Sequence, residues 1–151
     1  MSHKLPVSVL VVIHTPDLQV LLLERAKHPG FWQSVTGSLE PGELPAQAAL
    51  REVGEETGFI ATPARLRDWK LTNHYEIFAE WRHRYGPGVT HNTEHVFSLE
   101  MPAGTPVSIS PSEHRDFRWL PVSEAAAACF SWSNRDAVLM LPQLRGPDNN
   151  P

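Results

Sequence analysis

Apolar runs near the start of the chain predict the first strands of a sheet. Val7–His14 is rich in Val, Ile and Leu, as a buried strand is, and a Thr-Pro-Asp turn follows it. Residues 20–25 form a second apolar run that ends in charge, and residues 32–36 predict a short strand that leads into Gly37. We therefore expect three closely spaced strands at the beginning of the fold.

The pattern then changes from strand-like to helical. Pro45 stands where the first turn of a helix tolerates proline, and residues 46–56 are good helix formers. Gly58 suits the end of this helix because glycine adopts the left-handed conformation without a steric penalty, whereas Gly54 inside it costs about 1 kcal/mol relative to alanine. The apolar stripe that we expect to pack on the sheet comprises Ala46, Ala49, Leu50 and Val53.

Strand-like patterning returns in the second half of the chain. Residues 65–101 predict two strand arms joined at a Gly-Pro-Gly turn over residues 86–88, and residues 108–120 predict a loop followed by a strand. Because arms joined by a short turn run antiparallel, we expect an antiparallel or mixed sheet.

Helical patterning dominates the C-terminal segment. Ser123 is expected to cap an alanine-rich helix over residues 124–129, and residues 134–141 predict a further helix. The sequence contains no internal repeat and no interdomain linker, so residues 1–145 are expected to form a single α/β domain. We expect residues 146–151 to be a frayed tail.

Composition and charge narrow the class of protein. The chain has 151 residues, of which 41% are hydrophobic and 20% charged, a balance too apolar for a disordered chain. A formal net charge of −4 argues against non-specific nucleic-acid binding, which needs a basic surplus. Cys129 is the single cysteine, so neither a disulfide framework nor a cysteine zinc site can form within one chain. The single cysteine favours a reducing compartment, and the first apolar run is too short to span a membrane, so we expect a cytoplasmic protein. We expect no nucleic-acid, membrane or obligate protein partner.

The central helix concentrates carboxylates on one side. Glu52, Glu55 and Glu56 stand at positions i, i+3 and i+4, so they project together beside the apolar stripe. Like charges at these spacings repel, unless the face stays in water or is filled with cations. Oxygen ligands without nitrogen or sulfur suit a hard divalent ion, Mg²⁺ above all, with Mn²⁺ as a substitute. The spacing alone leaves both a solvated face and a metal site open.

The segment around these glutamates obeys a longer pattern. From residue 37 to residue 59 it fits G-x5-E-x7-R-E-U-x-E-E-x-G-U, in which U is a bulky apolar residue. This pattern resembles the signature box of the Nudix hydrolases, and all of its fixed positions are filled. The resemblance implies an α/β/α sandwich with a mixed sheet on which the box helix packs. It also implies hydrolysis of a phosphoanhydride with the help of a divalent metal.

The resemblance also implies roles for individual residues. Arg51 would hold the carboxylates of the box through a charge-assisted contact, and Glu43 would orient Arg51. A base must take the proton of the attacking water, and Glu55 and Glu113 are the candidates. Glu113, on the loop before the FRWLP strand, is expected to serve either as that base or as an extra metal ligand. The metal ligands implied within the box are Glu52, Glu55, Glu56 and the carbonyl of Gly37.

Segments outside the box extend the resemblance to family members that act on dihydroneopterin triphosphate. These segments are KLPVSVLVVI, FWQSVTGS, RHRYGPGVTHNTE and SWSNR. They imply release of pyrophosphate from that small-molecule triphosphate in folate biosynthesis, with the monophosphate as the second product. A triphosphate needs cations and a hydroxyl donor, which Lys4, Arg25 and Thr36 would supply. A flat pterin needs an aromatic platform and polar edge contacts, for which the candidates are Trp32, Tyr75, Phe78, Trp132, Ser131 and Asn134.

Two other functions remain open at this point. A nucleoside triphosphate pyrophosphatase that acts on dATP or an oxidised purine nucleotide would use the same chemistry, because purine and pterin rings are alike. A non-catalytic Nudix-fold ligand-binding module is the alternative of another class, although such modules usually lose box glutamates. The basic run at residues 82–84 predicts either a solvated strand face or a triphosphate contact.

Overall fold

Seven strands form one mixed sheet in the computed structural model, which describes residues 3–145. The strands are β1 (Val7–His14), β2 (Gln19–Arg25), β3 (Trp32–Gln33), β4 (Val35–Ser38), β5 (Leu66–Glu76), β6 (His91–Glu100) and β7 (His114–Pro121). The helices are α1 (Pro45–Thr57), α2 (Val122–Ala128) and α3 (Trp132–Arg145). Within the described residues, no helix is long and apolar enough to cross a membrane. The tail predicted to fray, residues 146–151, lies outside this range.

Strand β1 lies at the centre of the sheet. The strand order is β3-β2-β1-β6-β5, with β4 paired to β1 and β7 paired to β2. The β1–β6 pair is parallel, and the other strand pairs are antiparallel. The parallel register places Ser8 of β1 beside Glu94 of β6, near the start of both strands. The sheet is therefore mixed, as the sequence predicts.

Alternation along β1 divides the core between the two faces of the sheet. Val9, Val11 and Ile13 are buried together with alanine and valine side chains of α1. Leu10 and Val12 are buried on the opposite face with residues of α2 and α3. Because successive side chains of a strand point to opposite faces, one strand supports both helical layers. The architecture is the predicted α/β/α sandwich.

Helix α1 has nearly the predicted bounds, but its buried face differs from the predicted stripe. Gly58 ends the helix with φ of +79°, and its N–H bonds back to the carbonyl four residues earlier. Ala46 is exposed, and Ala48 is fully buried in its place. This orientation also turns Glu52 and Glu56 towards the sheet, because they follow Ala48 at helical spacing.

The predicted strand over residues 32–36 is split in two. Ser34 interrupts it, and the Ser34 N–H donates to Oδ1 of Asn134 at 2.8 Å. As a result β3 pairs with β2, whereas β4 pairs with β1 and continues through Gly37 to Ser38. The split ties the start of α3 to the strand that leads into the box.

The connection between β5 and β6 is more than the predicted turn over residues 86–88. A 3-10 helix, Ala79–Arg84, precedes that turn. Arg82 stabilises this helix by donating to the Ile77 carbonyl at 3.0 Å. A sequence pattern of alternating polarity gives no signal for such a short helix.

The starts of the last two helices differ from the predictions. Helix α2 begins at Val122 with Pro121 as its N-cap residue, so the predicted cap at Ser123 is wrong. The fixed φ of proline suits entry into a helix, which places Ser123 inside the first turn. Helix α3 begins at Trp132, ahead of its predicted start, and extends past Pro142.

Two glycines of the box test these backbone assignments. Gly54→Ala should raise the free energy of unfolding by about 0.5–1 kcal/mol. Gly54 is exposed inside α1, and a Cβ there would meet only the Phe59 carbonyl, at 3.7 Å. Gly58→Ala should instead lower the free energy of unfolding by roughly 1–2 kcal/mol, because φ of Gly58 is positive and the added Cβ would lie 3.1 Å from Cβ of Ser108. Urea denaturation of both variants measures the effects, and changes of the same sign would contradict these assignments.

Candidate active site

A groove of about 770 Å³ gathers predicted site residues from distant parts of the chain. It is bounded by the N-terminal residues, β4, α1 and the loop before β7. Its charged lining residues include Lys4, Arg25, Arg51, Glu52, Glu56, Arg84 and Glu113. Carboxylates and cations therefore face the same space, an arrangement suited to a metal ion together with a phosphate chain.

Glu52 and Glu56 form a buried carboxylate pair on the inner side of α1. Glu52 is 9% exposed and Glu56 2% exposed, and the two side chains share a hydrogen bond. Burial raises the pKa of both carboxyl groups, and for Glu56 the hydrogen bond and charge of Glu52 raise it further. Among the described residues, Oε1 of Glu56 has no hydrogen-bond partner. Burial and the charge of Glu52 thus disfavour the ionised form of Glu56, and a cation would relieve this repulsion.

Arg51 contacts the carboxylates of the box. Its guanidinium donates to both carboxylate oxygens of Glu43, at 2.8 and 2.9 Å, and to Oε2 of Glu52 at 3.0 Å. It also donates to the Ser38 carbonyl at 3.0 Å. The hydrogen bonds between Arg51 and Glu43 raise the pKa of Arg51 and lower the pKa of Glu43. This two-point contact fixes the plane of the guanidinium beside Glu52.

Glu55 has a different environment from its two neighbours. Its side chain is 52% exposed and accepts a hydrogen bond from Arg51 at 3.3 Å. Within residues 3–145, no set of three or more His, Cys, Asp or Glu side chains is arranged to hold a metal ion. The structure brings Glu52 and Glu56 together and leaves Glu55 beside Arg51, so a ligand role for Glu55 stays a prediction.

Strand β4 brings two predicted site residues to the carboxylate pair. A Cβ built on Gly37 would lie 2.0 Å from Oε2 of Glu52, so the close approach of strand and carboxylate requires glycine. The backbone N–H of Thr36 donates to Glu56. The Thr36 hydroxyl accepts a hydrogen bond from Nε2 of Gln33 at 3.3 Å. The end of β4 therefore forms one wall of the groove.

The loop before β7 adds Glu113 and His114 to the groove. Glu113 is exposed, and its charge contributes to the raised pKa of Glu56. His114 is 3% exposed, and its Nε2 lies 3.8 Å from Oε1 of Glu56. Burial, and then the charge of Arg25, lower the pKa of His114 to about 4, so this imidazole is neutral near neutral pH.

These features fit a hard divalent cation. Two buried carboxylates have raised pKa values, and one of their oxygens lacks a partner among the described residues. The candidate ligands are carboxylate oxygens of the box and the carbonyl of Gly37, the oxygen ligands that Mg²⁺ and related ions prefer, and Nε2 of His114 lies 3.8 Å from Oε1 of Glu56. Gly37 leaves its backbone close to Glu52 without a side chain in the way. Arg51 contacts Glu52 of this pair from one side. A bound cation would supply positive charge to the rest of the pair.

Three cations form a second charged set, which comprises Lys4, Arg25 and Arg84. Burial, and then the charges of Arg84 and Arg25, lower the pKa of Lys4, and burial followed by the charge of Arg84 lowers that of Arg25. Nζ of Lys4 lies 5.7 Å from the Tyr85 ring centroid, and Cζ of Arg25 lies 4.9 Å from that of Trp81. An anion bound here would relieve the mutual repulsion of these cations. Arg84 belongs to the basic run for which the sequence leaves a triphosphate contact open.

A smaller cavity of about 220 Å³ adjoins the groove, and we call it the ring cavity. The two share a wall made of Lys4, Arg25, Gln33, Arg84 and residues 36–38. Aromatic side chains line the ring cavity, with Tyr75 edge-on to Trp132 at 6.3 Å and Phe78 beside Trp81 at 5.0 Å between ring centroids. Eight of the nine predicted substrate-binding residues line it: Lys4, Arg25, Thr36, Tyr75, Phe78, Ser131, Trp132 and Asn134. Their contacts with a substrate stay predictions.

Two residues considered for the platform and its edge contacts have structural roles. Trp32 is buried in the core that faces α2 and α3, and Cζ of Arg118 lies 4.6 Å from its ring centroid. Its proposed place in the aromatic platform is wrong, because the ring lies in the core. Asn134 lines the ring cavity, but its Oδ1 accepts from the Ser34 N–H and its Nδ2 donates to Oγ of Ser131, both at 2.8 Å.

Sequence reasoning misses several lining residues, namely Trp81, Asn92, Glu94, His114 and Phe130. Strand β6 offers a usable signal for two of them. Asn92, Glu94 and Val96 alternate along one face, and a strand covered by helices should be apolar there. A polar pair at buried positions indicates a site rather than a core. His114 has no comparable signal, because its burial depends on long-range packing.

The chain is similar to known proteins over most of its length. The NUDIX domain family matches residues 4–141. Dihydroneopterin triphosphate diphosphatase of Escherichia coli (strain K12) is 48% identical over 139 residues, which cover 90% of this chain and 91% of that protein. The protein of the same name from Haemophilus influenzae is 39% identical over 142 residues, covering 91% and 88%. The solved structure of the E. coli dihydroneopterin triphosphate pyrophosphohydrolase matches with a TM-score of 0.84 at 47% identity, covering 91% of this chain and 95% of that one.

Glu56→Gln should stabilise the metal-free protein at neutral and higher pH. Folding raises the pKa of Glu56 above its ordinary value of 4.5, so the folded state keeps a proton that the unfolded chain releases. The free energy of unfolding of the wild type therefore falls as the pH rises above that value, whereas glutamine does not titrate. We expect the variant to be more stable by on the order of 1–3 kcal/mol near pH 8 with a chelator present. This difference in stability between the variant and the wild type should disappear at about pH 4.

Glu55→Gln is the matched control, because Glu55 is adjacent in sequence and half exposed. Its effect should stay within about 0.5 kcal/mol, the usual size of an exposed ion pair. Urea denaturation of the three proteins across this pH range measures both effects. An advantage of Glu56→Gln that does not change with pH would contradict the raised pKa.

Proposed function

We propose that this chain, which belongs to the NUDIX domain family and is a pyrophosphohydrolase, hydrolyses dihydroneopterin triphosphate to dihydroneopterin monophosphate and pyrophosphate. One observation carries the proposal: a wall of cations joins the aromatic ring cavity to the carboxylate groove. A flat ring, a phosphate chain and a metal ion therefore fit along one continuous site, in that order. The 48% identity to the E. coli diphosphatase supports the same substrate.

The ring cavity would hold the pterin. Phe78 and Trp132 are 47% and 46% exposed, so they offer apolar surface on which a ring can stack, with Tyr75 beside them. Ser131 would offer a hydroxyl to the ring edge, and Asn134 would hold Ser131 through its hydrogen bond. A substrate that covers these rings removes apolar surface from water, which favours binding.

The cation wall would hold the triphosphate. Lys4, Arg25 and Arg84 repel one another in the free protein, and their repulsion is relieved when phosphate oxygens lie between them. The Thr36 hydroxyl would donate a further hydrogen bond at the junction of the two cavities. The phosphate chain would then extend from the ring cavity towards Glu56.

Members of the family need a divalent metal, and we propose Mg²⁺, for which Mn²⁺ substitutes. Glu52 and Glu56, with the carbonyl of Gly37, would hold it, and Glu55 and Glu113 are further candidate ligands. When bound, the ion would neutralise phosphate oxygens and lower the pKa of a bound water. The chain itself orients Glu52 through Arg51 and Glu43.

Glu113 is the residue that we assign as the base. It lines the groove and lies close enough to Glu56 to raise the pKa of Glu56, whereas Glu55 lies outside the groove lining. The oxygen of water forms a bond to phosphorus while Glu113 accepts the proton of that water. The phosphorus–oxygen bond to the departing pyrophosphate breaks, which leaves the dihydroneopterin monophosphate. The cytoplasmic location expected from the single cysteine, and a place in folate biosynthesis, stay predictions.

Product analysis tests the proposed reaction directly. The protein would be incubated with dihydroneopterin triphosphate, or with a panel of nucleoside triphosphates that includes dATP, in Mg²⁺, in Mn²⁺ and in chelator. We expect pyrophosphate and the pterin monophosphate in equal amounts, formed faster than products from nucleotides and only with metal. Faster turnover of a nucleotide would refute the pterin assignment. An absence of hydrolysis with either metal would favour the ligand-binding module instead.

Glu113→Gln should lower kcat by about 100-fold or more and leave KM nearly unchanged, because the variant keeps the side-chain size but cannot accept a proton. Glu124→Gln is the control, since Glu124 is an exposed glutamate in the first turn of α2 and lines neither cavity. Its kcat should match the wild type. A kcat of Glu113→Gln within a few-fold of the wild type would refute the assignment of Glu113 as the base.

A further inference from the structure

The ring cavity has a polar floor that the proposed phosphate chemistry does not use. It is built where β1, β5 and β6 lie side by side, and it comprises Ser8, Tyr75, Asn92 and Glu94. Further along the same face the sheet is apolar, where Leu10, Val12 and Val96 pack against α2 and α3. The change from apolar to polar side chains therefore coincides with the cavity.

Glu94 is a buried carboxylate at this floor. It is 2% exposed, and it accepts hydrogen bonds from Nδ2 of Asn73 at 3.2 Å and from the hydroxyl of Ser133. Both of these donors are neutral side chains. A carboxylate that accepts two hydrogen bonds retains capacity for more, because its two oxygens have about four acceptor positions. Burial of a carboxylate without a cation is costly, so this one is expected to have a binding role.

Asn92 also lines this cavity and has a buried acceptor oxygen. Its Nδ2 donates to Oγ of Ser8 at 2.7 Å and to the hydroxyl of Tyr75 at 3.0 Å. These two contacts use both amide protons, and Oδ1 has no hydrogen-bond partner in the part of the chain that the structure describes. Asn92 and Glu94 lie two positions apart on β6, so their side chains share one face. The floor thus combines two acceptors, the Glu94 carboxylate and Oδ1 of Asn92, with the hydroxyls of Ser8 and Tyr75.

We infer that Glu94, assisted by Asn92, selects the ring of the substrate by accepting hydrogen bonds from its edge. The ring class that fits is one with an N–H group beside an amino group, as in the 2-amino-4-oxopyrimidine edge of pterins and of guanine. This inference rests on the proposed function and narrows its substrate class. Glu94 takes the adjacent N–H and amino donors, and Oδ1 of Asn92 takes one further N–H.

Adenine is disfavoured at this floor. Its edge has an amino donor beside a ring nitrogen that can only accept, so the lone pair of that nitrogen would face a carboxylate oxygen. A site built to accept from a substrate N–H discriminates strongly against a ring that lacks it, because a buried acceptor is left without a partner. Burial raises the pKa of Glu94, and two ring N–H donors would favour its charged form.

Glu94→Gln tests the inference, because it keeps the side-chain size and replaces one acceptor with an amide donor. We would measure kcat/KM of wild type and variant for dihydroneopterin triphosphate, dGTP and dATP. For the pterin and for dGTP we expect a fall of at least about tenfold, mainly through KM. For dATP we expect an unchanged or higher value, because glutamine offers the donor and acceptor pair that suits adenine. The affinity of the metal-free protein for dihydroneopterin, which carries no phosphate, should fall by a similar factor.

Glu100→Gln is the control variant, since Glu100 is an exposed glutamate at the other end of β6. It should leave all three kcat/KM values unchanged. An equal fall for the three substrates in Glu94→Gln would mean that Glu94 only supports the fold, and no fall would mean that it does not contact the ring. Either result overturns the inference. If the wild type hydrolyses nucleotides but not the pterin, the proposed function fails, and the ratio of dGTP to dATP still tests Glu94.

Discussion

The site depends on the burial of two neighbouring carboxylates, Glu52 and Glu56, on the side of α1 that faces the sheet. A helix that packs on a sheet normally buries apolar side chains there, and two carboxylates in that place oppose folding. The surrounding residues limit the cost. Arg51 donates to Glu52, the Thr36 N–H donates to Glu56, and the two acidic side chains share a hydrogen bond. Apolar residues of the same helix, including Ala48, supply the packing that keeps it on the sheet. We therefore expect the metal-free protein to be less stable than the same fold with neutral side chains, and the binding of a cation would remove part of this penalty.

The parallel pairing of β1 and β6 explains why one end of the sheet carries the whole site. Parallel strands begin at the same edge, so Lys4, which lies just before β1, is near the first residues of β6. Strand β4 runs antiparallel to β1, so it ends where β1 begins, and Ser38 pairs with Ser8. Ser8 in turn lies beside Glu94. The cation wall, the end of the strand that leads into the box and the floor of the ring cavity therefore meet at one edge of the sheet.

The sequence predicts local features better than long-range ones. It predicts the bounds of β1 and α1 well, because apolar periodicity and a glycine at the helix end are local properties. It also identifies Glu52 and Glu56 through the spacing of the box. It does not reveal that α1 buries Ala48 rather than Ala46, since the rotation of a helix depends on the strand beneath it. Residues such as Asn92 gain a role only when three strands bring them to one cavity, and no pattern along the chain states which strands become neighbours.

The charges of the site are divided in a way that fixes the orientation of a ligand. Lys4, Arg25 and Arg84 lie on the wall between the two cavities, and the carboxylate pair lies only in the groove. The three cations repel one another, and the two carboxylates repel each other. Each group is therefore stabilised by a ligand of the opposite charge. A triphosphate with its phosphates at the cations would place its ring in the aromatic cavity, because the aromatic side chains lie on that side of the cation wall and the carboxylates on the other. The last phosphates would then extend towards Glu56. In this arrangement the charges would set the direction of binding, and the proposed hydrogen bonds at the cavity floor would act on a ring that is already oriented.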